Sequence, residues 1–181
     1  MFLVGFMGSG KSSVGHELAR RLGWEFVDLD TLIESRERQT VPTIFRDHGE
    51  AHFRRAETAA LQGLISGLER NSVVALGGGA FVGEQNRQLL HDWPTVFLDA
   101  PAEELWRRCC ADSSERPLRK ERSQFEQLHR DRLPSYRKAT VTVDTCGRDV
   151  STICDEIEGI LKLAGSGQHN YAARSRRGEA K

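Results

Sequence analysis

The sequence of 181 residues lacks an excess of charge of either sign, because 26 lysines and arginines balance 26 aspartates and glutamates. This balance argues against bulk attraction to nucleic acid or to a membrane surface, although it leaves room for a local basic pocket. Long apolar runs are absent as well, and no stretch approaches the ~18 consecutive apolar residues of a membrane span. No basic segment followed by an apolar one opens the sequence, so we predict no signal peptide.

Cysteine is scarce, and the four that occur do not form a disulfide framework by their spacing. Cys109 and Cys110 are adjacent, which disfavours a bond between them, and Cys146 and Cys154 belong to no C-x-x-C motif. We therefore expect reduced thiols, as in a cytoplasmic protein. The length suits one domain with a substantial core. No heptad seam is visible, so we expect a monomer.

Short apolar runs alternate with stretches of helical periodicity along most of the chain. Helical stripes are formed by Val14, Leu18 and Leu22 and, near the end, by Val150, Ile153, Ile157, Ile160 and Leu161. Five runs are typical of strands: Met1–Val4, Glu25–Asp28, Ser72–Leu76, Thr95–Leu98 and Thr140–Val143. This alternation predicts an α/β fold, with a mostly parallel sheet and helices on both faces.

The composition changes after Leu163, where the polar, glycine-rich stretch "AGSGQHNYAARSRRGEAK" has no periodicity. We predict a single domain over residues 1–164 and a disordered tail over residues 165–181. The alternative for the tail is that its arginines bind a partner.

The stretch "GFMGSGKS", from Gly5 to Ser12, fits the phosphate-binding P-loop pattern G-x-x-x-x-G-K-[ST]. It lies between an apolar strand and the start of a helix, where backbone N–H groups can converge on phosphate oxygens. Lys11 is expected to reach the β- and γ-phosphates, and the hydroxyl of Ser12 to bind Mg²⁺. The alternative is a glycine-rich turn without a ligand. A dinucleotide fingerprint is excluded, since Ser13 stands where its third glycine would be.

Acidic and basic side chains follow in two further motifs. In "FVDLDTLIE", Asp28 and Asp30 come at the end of the second strand, where one carboxylate suits the Mg²⁺ shell and the other a substrate hydroxyl. The alternative is that Asp30 only caps the next helix. In "HGEAHFRRAE", Arg54 and Glu57 share a helix face. A solvated helix with an internal ion pair would explain this second motif equally well.

Two more stretches complete the pattern. "VVALGGGAF" ends an apolar strand in Gly77–Gly79, which indicates a close approach of a ligand or of another backbone; the alternative is a flexible turn. "ERPLRKERSQFEQLHRDRLPSYR" is dense in arginine and is typical of a mobile lid over a phosphate-rich site. An ordinary solvated helix and loop fits the second half of this stretch better than the first.

Together these residues resemble the shikimate kinase family from Phe2 to about Ile160. The resemblance depends on six motifs in order: G-x-M-G-x-G-K-[ST], D-x-D, G-E-x-x-F-R-x-x-E, L-G-G-G, R-P-L and R-x-P-x-Y. It implies a P-loop fold like that of nucleoside monophosphate kinases, a three-layer α/β/α sandwich with a five-stranded parallel sheet and a mobile lid at about 112–124. It also implies transfer of the γ-phosphoryl group of ATP to the 3-hydroxyl of shikimate, with Mg²⁺ as cofactor.

The resemblance assigns site residues by position. The residues expected to bind the nucleotide are Gly8, Ser9, Gly10, Lys11, Ser12 and Ser13. Arg116 of the lid would contact the phosphates, and Arg108 or Arg148 would lie near the adenine. Mg²⁺ is expected to be bound by Ser12 and, through water, by Asp28. The residues expected to bind the acceptor are Asp30, Arg54, Glu57, Gly77, Gly78, Gly79 and Arg132. Among these, Lys11, Asp30 and Arg116 are the expected catalytic residues; Asp30 would orient or deprotonate the attacking hydroxyl, and Glu57 would position Arg54.

Other functions are weighed against this interpretation. A kinase for gluconate or a nucleotide is one alternative, disfavoured by the two arginines suited to a carboxylate and by D-x-D with L-G-G-G. A non-catalytic ATP-binding regulator is the other, and the intact Lys11, Ser12, Asp28, Asp30 and Arg116 argue against it. We expect a small-molecule substrate and neither a nucleic acid nor a membrane as partner.

Overall fold

Alternating side chains of the first strand enter two different apolar clusters, as the two-residue repeat of a strand requires. Met1 and Leu3 belong to one cluster, and Phe2 and Val4 to the other. The computed structural model describes residues 1–68, 71–111 and 121–165, with side chains up to residue 162. A sheet buried on both faces is the arrangement expected of parallel strands with helical crossovers.

The sheet has five strands, all parallel, in the order β2-β3-β1-β4-β5. The strands are β1 (Phe2–Val4), β2 (Glu25–Asp28), β3 (Ser72–Ala75), β4 (Thr95–Asp99) and β5 (Val141–Asp144). Each strand is within one residue of its predicted ends. The predicted five-stranded parallel α/β sandwich is confirmed.

Seven helices lie in the described residues and cover both faces of the sheet. They are α1 (Lys11–Leu22), α2 (Leu29–Glu37), α3 (Val41–Ser66), α4 (Glu84–Leu89), α5 (Ala102–Ala111), α6 (Arg122–Tyr136) and α7 (Val150–Gly165), and a 3₁₀ turn, Ala80–Val82, precedes α4. The predicted stripes of α1 and α7 bury Leu18 and Ile157 against one face. The long helices α3 and α6 bury Phe53 and Phe125 against the other.

Helix α3 is broken at Gly49. Thr40 caps the helix by accepting a hydrogen bond from the backbone N–H of Thr43. At Gly49 the backbone has φ 77° and ψ 171°, a left-handed φ that only glycine adopts without strain. The second half of the helix, which carries Arg54 and Glu57, therefore takes its own direction toward the sheet edge.

Some expectations fall on parts of the chain that the structure does not describe. Arg116 and residues 112–120 of the expected lid lie outside the described residues, as do residues 166–181 of the expected tail. Residues 122–124, the other end of the expected lid, form the first turn of α6.

Within residues 1–68, 71–111 and 121–165, no helix combines the length and apolarity needed to cross a bilayer.

Candidate active site

The P-loop of Gly5–Ser12 leads from β1 into α1, and its three glycines adopt backbone angles that favour glycine. Gly5, Gly8 and Gly10 have φ of 150°, 78° and 89°, a region that side chains rarely adopt. At Gly8 a Cβ atom would also lie 2.8 Å from Cys109 Sγ and 2.9 Å from the Leu105 carbonyl oxygen. The loop can therefore fold back tightly against α5 only with glycine at this position.

The start of α1 is built to receive an anion. Its N-cap, Gly10, offers no side-chain hydrogen bond, and the first turn holds no acidic residue. The backbone N–H groups and the positive end of the helix dipole thus face the loop without a side-chain acceptor from the cap. The Lys11 ammonium donates to the carbonyl oxygens of Gly5 and Phe6, at 3.0 Å each. This places a cation inside the concave face of the loop.

Asp28, at the end of β2, links the P-loop to α2. Its Oδ1 accepts from the backbone N–H groups of Asp30 (3.0 Å) and Thr31 (3.3 Å), so Asp28 is the N-cap of α2. The alternative that Asp30 caps this helix is therefore wrong. The other oxygen, Oδ2, accepts from the Ser12 hydroxyl at 3.2 Å. The structure brings the two predicted Mg²⁺ residues into contact.

A hydroxyl and a carboxylate side by side are hard oxygen ligands of the kind that Mg²⁺ prefers. Within the described ranges no group of three or more His, Cys, Asp or Glu side chains is placed to hold a metal by itself. Mg²⁺ usually keeps several waters and binds one or two carboxylates together with substrate phosphates. Ser12 and Asp28 fit that mode of binding and do not form an all-protein cage.

Asp30 lies against the glycine turn that follows β3. A Cβ atom on Gly77 would come 2.4 Å from Asp30 Oδ1, so this turn position has no room for a side chain. Burial raises the pKa of Asp30, and the neighbouring charge of Asp28 raises it further, while Lys11 and Arg54 oppose the rise. A carboxylate whose pKa is raised toward neutrality is a better proton acceptor than an exposed one.

Arg54 is held by two glutamates of its own helix. Its guanidinium donates to both carboxylate oxygens of Glu57, at 2.9 and 3.1 Å, and to Glu50 at 3.1 Å. The internal ion pair of the alternative is therefore present, but Glu57 is only 1% exposed, so this pair does not lie on a solvated helix face. Burial raises the pKa of Glu57, and the charge of Arg54 opposes that rise. A Cβ atom on Gly79 would lie 2.4 Å from Arg54 Nη1, so a side chain there would displace this guanidinium.

The middle glycine of the turn faces both the P-loop and α6. A Cβ atom on Gly78 would lie 3.7 Å from Arg132 Nη1 and 3.8 Å from the backbone nitrogen of Met7. The carbonyl oxygen of Gly78 accepts a hydrogen bond from the Tyr136 hydroxyl. The backbone N–H of Ala80 closes the turn on the Gly77 carbonyl at 3.0 Å, so the alternative of a merely flexible turn is wrong. Side chains approach Gly77 and Gly79 and the P-loop backbone lies within 4 Å of Gly78, while the predicted approach of a ligand stays a prediction.

Arg132 lies on α6 with its guanidinium 5.8 Å from the centre of the Phe6 ring, above the P-loop. Arg54 and Arg132 thus approach the glycine turn from two different helices. Tyr136 is a residue of this site for which the sequence predicted no role. The available signal was its spacing of four residues from Arg132 in the R-x-P-x-Y motif, which puts both on one helix face.

A cavity of about 610 Å³ adjoins the other side of the P-loop. Its lining comes from the loop, α1, α5 and the segment between β5 and α7: Ser9, Gly10, Ser13, Val14, Glu104, Arg107, Arg108, Gly147, Arg148, Asp149, Val150 and Ile153. The two arginines proposed as alternatives near the adenine, Arg108 and Arg148, therefore line this cavity together.

Arg108 is fixed in the wall of this cavity by contacts that sequence reasoning missed. It donates to the Thr145 carbonyl at 2.6 Å and to Glu104 at 2.8 Å. Hydrogen bonds from Arg107 and Arg108 lower the pKa of Glu104 to about 2. Arg148 is tied to the Asp144 carbonyl at 2.9 Å. Only the fold could reveal the contact with Thr145, since Arg108 and Thr145 are 37 residues apart.

The strand order explains why these groups meet. The P-loop follows β1, Asp28 ends β2, and the glycine turn follows β3, and the three strands are neighbours in the order β2-β3-β1. The carboxyl ends of parallel strands share one edge of the sheet, where α/β proteins bind their ligands. The cavity lined by Arg108 and Arg148 adjoins one side of the P-loop, and the glycine turn beside Arg54 and Arg132 adjoins the other.

Comparison with known proteins agrees with this geometry. The family model for shikimate kinase matches residues 7–162. The shikimate kinase of Persephonella marina is 36% identical over 163 residues, which cover 90% of this chain and 98% of that protein. That of Thermus thermophilus is 42% identical over 159 residues, which cover 86% of this chain and 85% of that protein.

Solved structures give the same result. The shikimate kinase from Acinetobacter baumannii, determined in complex with shikimate, superposes with a TM-score of 0.79 at 36% identity and covers 92% of this chain and 93% of its own. A gluconokinase from Sinorhizobium meliloti reaches a TM-score of 0.61 at 23% identity, which shows a shared fold only. With the motifs, the sheet order and the relatives in agreement, the chain belongs to the shikimate kinase family.

Proposed function

We propose that this chain transfers the γ-phosphoryl group of ATP to the 3-hydroxyl of shikimate, giving shikimate 3-phosphate and ADP for the synthesis of aromatic amino acids. The observation that carries the proposal is the position of Gly78. A Cβ atom there would lie within 4 Å of both Arg132 and the P-loop backbone at Met7. A carboxylated acceptor at this turn is therefore next to the site of the terminal phosphate.

Nucleotide binding is assigned to the P-loop and the adjoining cavity. The backbone of Gly8, Ser9 and Gly10 and the N-terminus of α1, including Ser13, surround the phosphates, and Lys11 adds a positive charge. Arg108 and Arg148 line the space for the base. Ser12 and, through water, Asp28 would hold Mg²⁺, which neutralises charge on the phosphate oxygens when it is bound. The side chain of Arg116 is assigned to the same phosphates from the lid.

Acceptor binding is assigned to the opposite side of the loop. Planar guanidinium groups can each donate two parallel hydrogen bonds to a carboxylate, so Arg54 and Arg132 are suited to a small acid. Glu57 holds Arg54 in place through two hydrogen bonds while itself buried. The three glycines of the turn keep the space beside these arginines free of side chains.

Asp30 is assigned as the group that accepts the proton of the attacking hydroxyl. As the acceptor oxygen bonds to the γ-phosphorus and the bond to the β-phosphate oxygen breaks, the hydroxyl proton passes to a carboxylate oxygen of Asp30. Burial and the charge of Asp28 raise the pKa of Asp30, which favours this transfer. Phosphoryl transfer otherwise needs positioning and charge neutralisation more than covalent chemistry, and the surrounding cations supply the neutralisation.

We also propose that the enzyme works as a cytoplasmic monomer on free small molecules, with no nucleic acid as partner. The balance of 26 basic and 26 acidic side chains supports the absence of bulk attraction to polyanions. The spacing of the four cysteines supports a reducing compartment.

The test is a coupled assay of ADP release by the purified full chain with MgATP and a panel of acceptors: shikimate, gluconate and a nucleoside monophosphate. We expect turnover that depends on shikimate and is abolished by Lys11→Met, which removes the P-loop cation. Turnover with gluconate or the nucleotide alone would support another small-molecule kinase. Nucleotide binding without turnover of any acceptor would support a regulator, and either result would overturn the proposal.

A further inference from the structure

Tyr136 stands beneath the glycine turn at the end of α6. Its side chain is fully buried and its ring stacks on Phe97 of β4, with 5.3 Å between the ring centres. From this fixed position its hydroxyl donates to the carbonyl oxygen of Gly78. The two residues are 58 positions apart in sequence, so this bond joins α6 to the turn after β3.

The bond adds a restraint on the central peptide of the turn, whose ends are already joined by the hydrogen bond from the Ala80 N–H to the Gly77 carbonyl. The peptide between Gly78 and Gly79 is flanked by glycine on both sides, and glycine restricts its backbone less than any other residue. Its carbonyl and N–H groups point in opposite directions because the peptide is trans. A donor on the Gly78 oxygen therefore also sets the direction of the Gly79 N–H group.

The hydroxyl is a permanent donor. Burial raises the pKa of Tyr136 to about 12, so the proton stays on the oxygen throughout the neutral range. The opposing influence comes from Arg132, through its positive charge and a hydrogen bond to the Tyr136 hydroxyl, and from the charge of Arg54. Tyr136 thus lies under the same positive cluster that faces the acceptor, without carrying a charge of its own.

Arg132 lies on the same face of α6 as Tyr136, one turn earlier. The guanidinium of Arg132 approaches the space above Gly78, while the Tyr136 hydroxyl holds the carbonyl of Gly78. One helix therefore sets both the guanidinium and the turn backbone. The distance between these two groups decides how well a carboxylate fits between them.

We propose that Tyr136 is a positioning residue for the acceptor, whose hydroxyl locks the Gly78 peptide at a fixed distance from Arg132 so that both can contact the acceptor carboxylate. This inference rests on the proposed function for the identity of the acceptor. Tyr136 itself touches neither the nucleotide nor the reacting atoms in this scheme. It acts through the turn and through its hydrogen bond with the Arg132 guanidinium.

The test compares Tyr136→Phe with wild type in the full chain. Loss of the hydroxyl removes its hydrogen bonds with Gly78 and Arg132 and should raise the KM for shikimate about fivefold or more, while kcat and the KM for MgATP should stay unchanged. Thr95→Val is the matched control. It also removes a buried hydroxyl, which lies 3.1 Å from the Thr140 hydroxyl at the amino end of β4, opposite the active edge. This control should lose comparable stability and keep the wild-type KM.

Amide hydrogen exchange of the turn needs no acceptor and separates this inference from the proposed function. The N–H groups of Ala80 and Val82 are bonded to the Gly77 and Gly79 carbonyls at 3.0 and 3.1 Å. Their exchange should become about fivefold faster in Tyr136→Phe and stay unchanged in Thr95→Val. Unchanged exchange overturns the inference, as does an unchanged shikimate KM in a variant of an active enzyme. Wild type that fails to turn over shikimate contradicts the proposed function alone, and the exchange rates still decide the role of Tyr136.

Discussion

Asp28 uses its two carboxylate oxygens for two different purposes, and Asp28→Asn should separate them. One oxygen caps α2 through the N–H groups of Asp30 and Thr31, and the other faces the Ser12 hydroxyl. Asparagine caps a helix as well as aspartate does, because its side-chain oxygen accepts the same hydrogen bonds. It lacks the negative charge that a site for Mg²⁺ requires.

The stability of the two Asp28 variants should therefore differ. Asp28→Ala loses the cap and should cost about 1 kcal/mol of unfolding free energy, which corresponds to a fall of about 3 °C in Tm for a domain of this size. Asp28→Asn should unfold within about 1 °C of wild type. Thermal unfolding followed by circular dichroism measures both. Equal destabilisation by the two changes would refute the assignment of Asp28 as the cap.

The activity of the two variants should be alike. Loss of a group that holds the metal through water typically lowers metal affinity or activity by about 10- to 100-fold. We expect both variants to need more Mg²⁺ in the coupled ADP assay, so that a Mg²⁺ titration recovers part of the lost rate. Full activity of Asp28→Asn at every Mg²⁺ concentration would contradict the proposed role of the charge.

The pH profile gives a third readout of the same substitution. The negative charge of Asp28 helps to raise the pKa of Asp30, second to burial. Removing that charge lowers the pKa of Asp30, so Asp30 stays deprotonated at more acidic pH. The acid limb of the kcat profile should therefore move to lower pH in Asp28→Asn. A shift to higher pH would show that Asp30 is not the group that titrates.

Three further substitutions test the other assignments. Asp30→Asn should lower kcat by about 10²- to 10⁴-fold and leave nucleotide affinity by calorimetry unchanged, and full activity would remove Asp30 from the proton transfer. Arg132→Ala should raise the acceptor KM by about 10- to 100-fold, with Arg132→Lys restoring only part of the loss, and an unchanged KM would contradict the carboxylate contact. Gly79→Ala places a Cβ atom 2.4 Å from Arg54 Nη1 and should raise the acceptor KM without changing that of ATP. Its control, Gly159→Ala, meets nothing within 4 Å and should leave both constants at wild-type values.

The sequence predicts the architecture well because local patterns determine most of it. Strands such as Thr95–Asp99 are short, mostly apolar runs bounded by turn or helix signals, and their ends in the structure match the prediction within one residue. The break at Gly49 is likewise a local property, since a glycine between helical stretches permits a left-handed φ. The P-loop is recognisable because its function depends on backbone shape, which glycine spacing records directly.

The site was predicted less completely, for two physical reasons. The choice of cap between Asp28 and Asp30 depends on where α2 begins, and residue propensities do not fix a helix start to one position. The contacts of Tyr136 with Gly78 and of Arg108 with Thr145 join distant segments. Such contacts follow from tertiary packing and leave no periodic signal. The roles of Arg116 and the lid stay predictions.

The two-sided burial of the sheet has a consequence for how such an enzyme can change over evolutionary time. Val14 and Ile153 belong to the apolar cluster on one face of the sheet and also line the cavity beside the P-loop. Phe53 and Phe125, on the helices that carry Arg54 and Arg132, belong to the cluster of the other face. Helix α5 joins the two layers, because its Leu105 and Cys109 pack in the second cluster while its Arg108 lines the cavity beside the P-loop. Changes that adapt the acceptor side in a lineage are therefore constrained by the need to keep α5 in place.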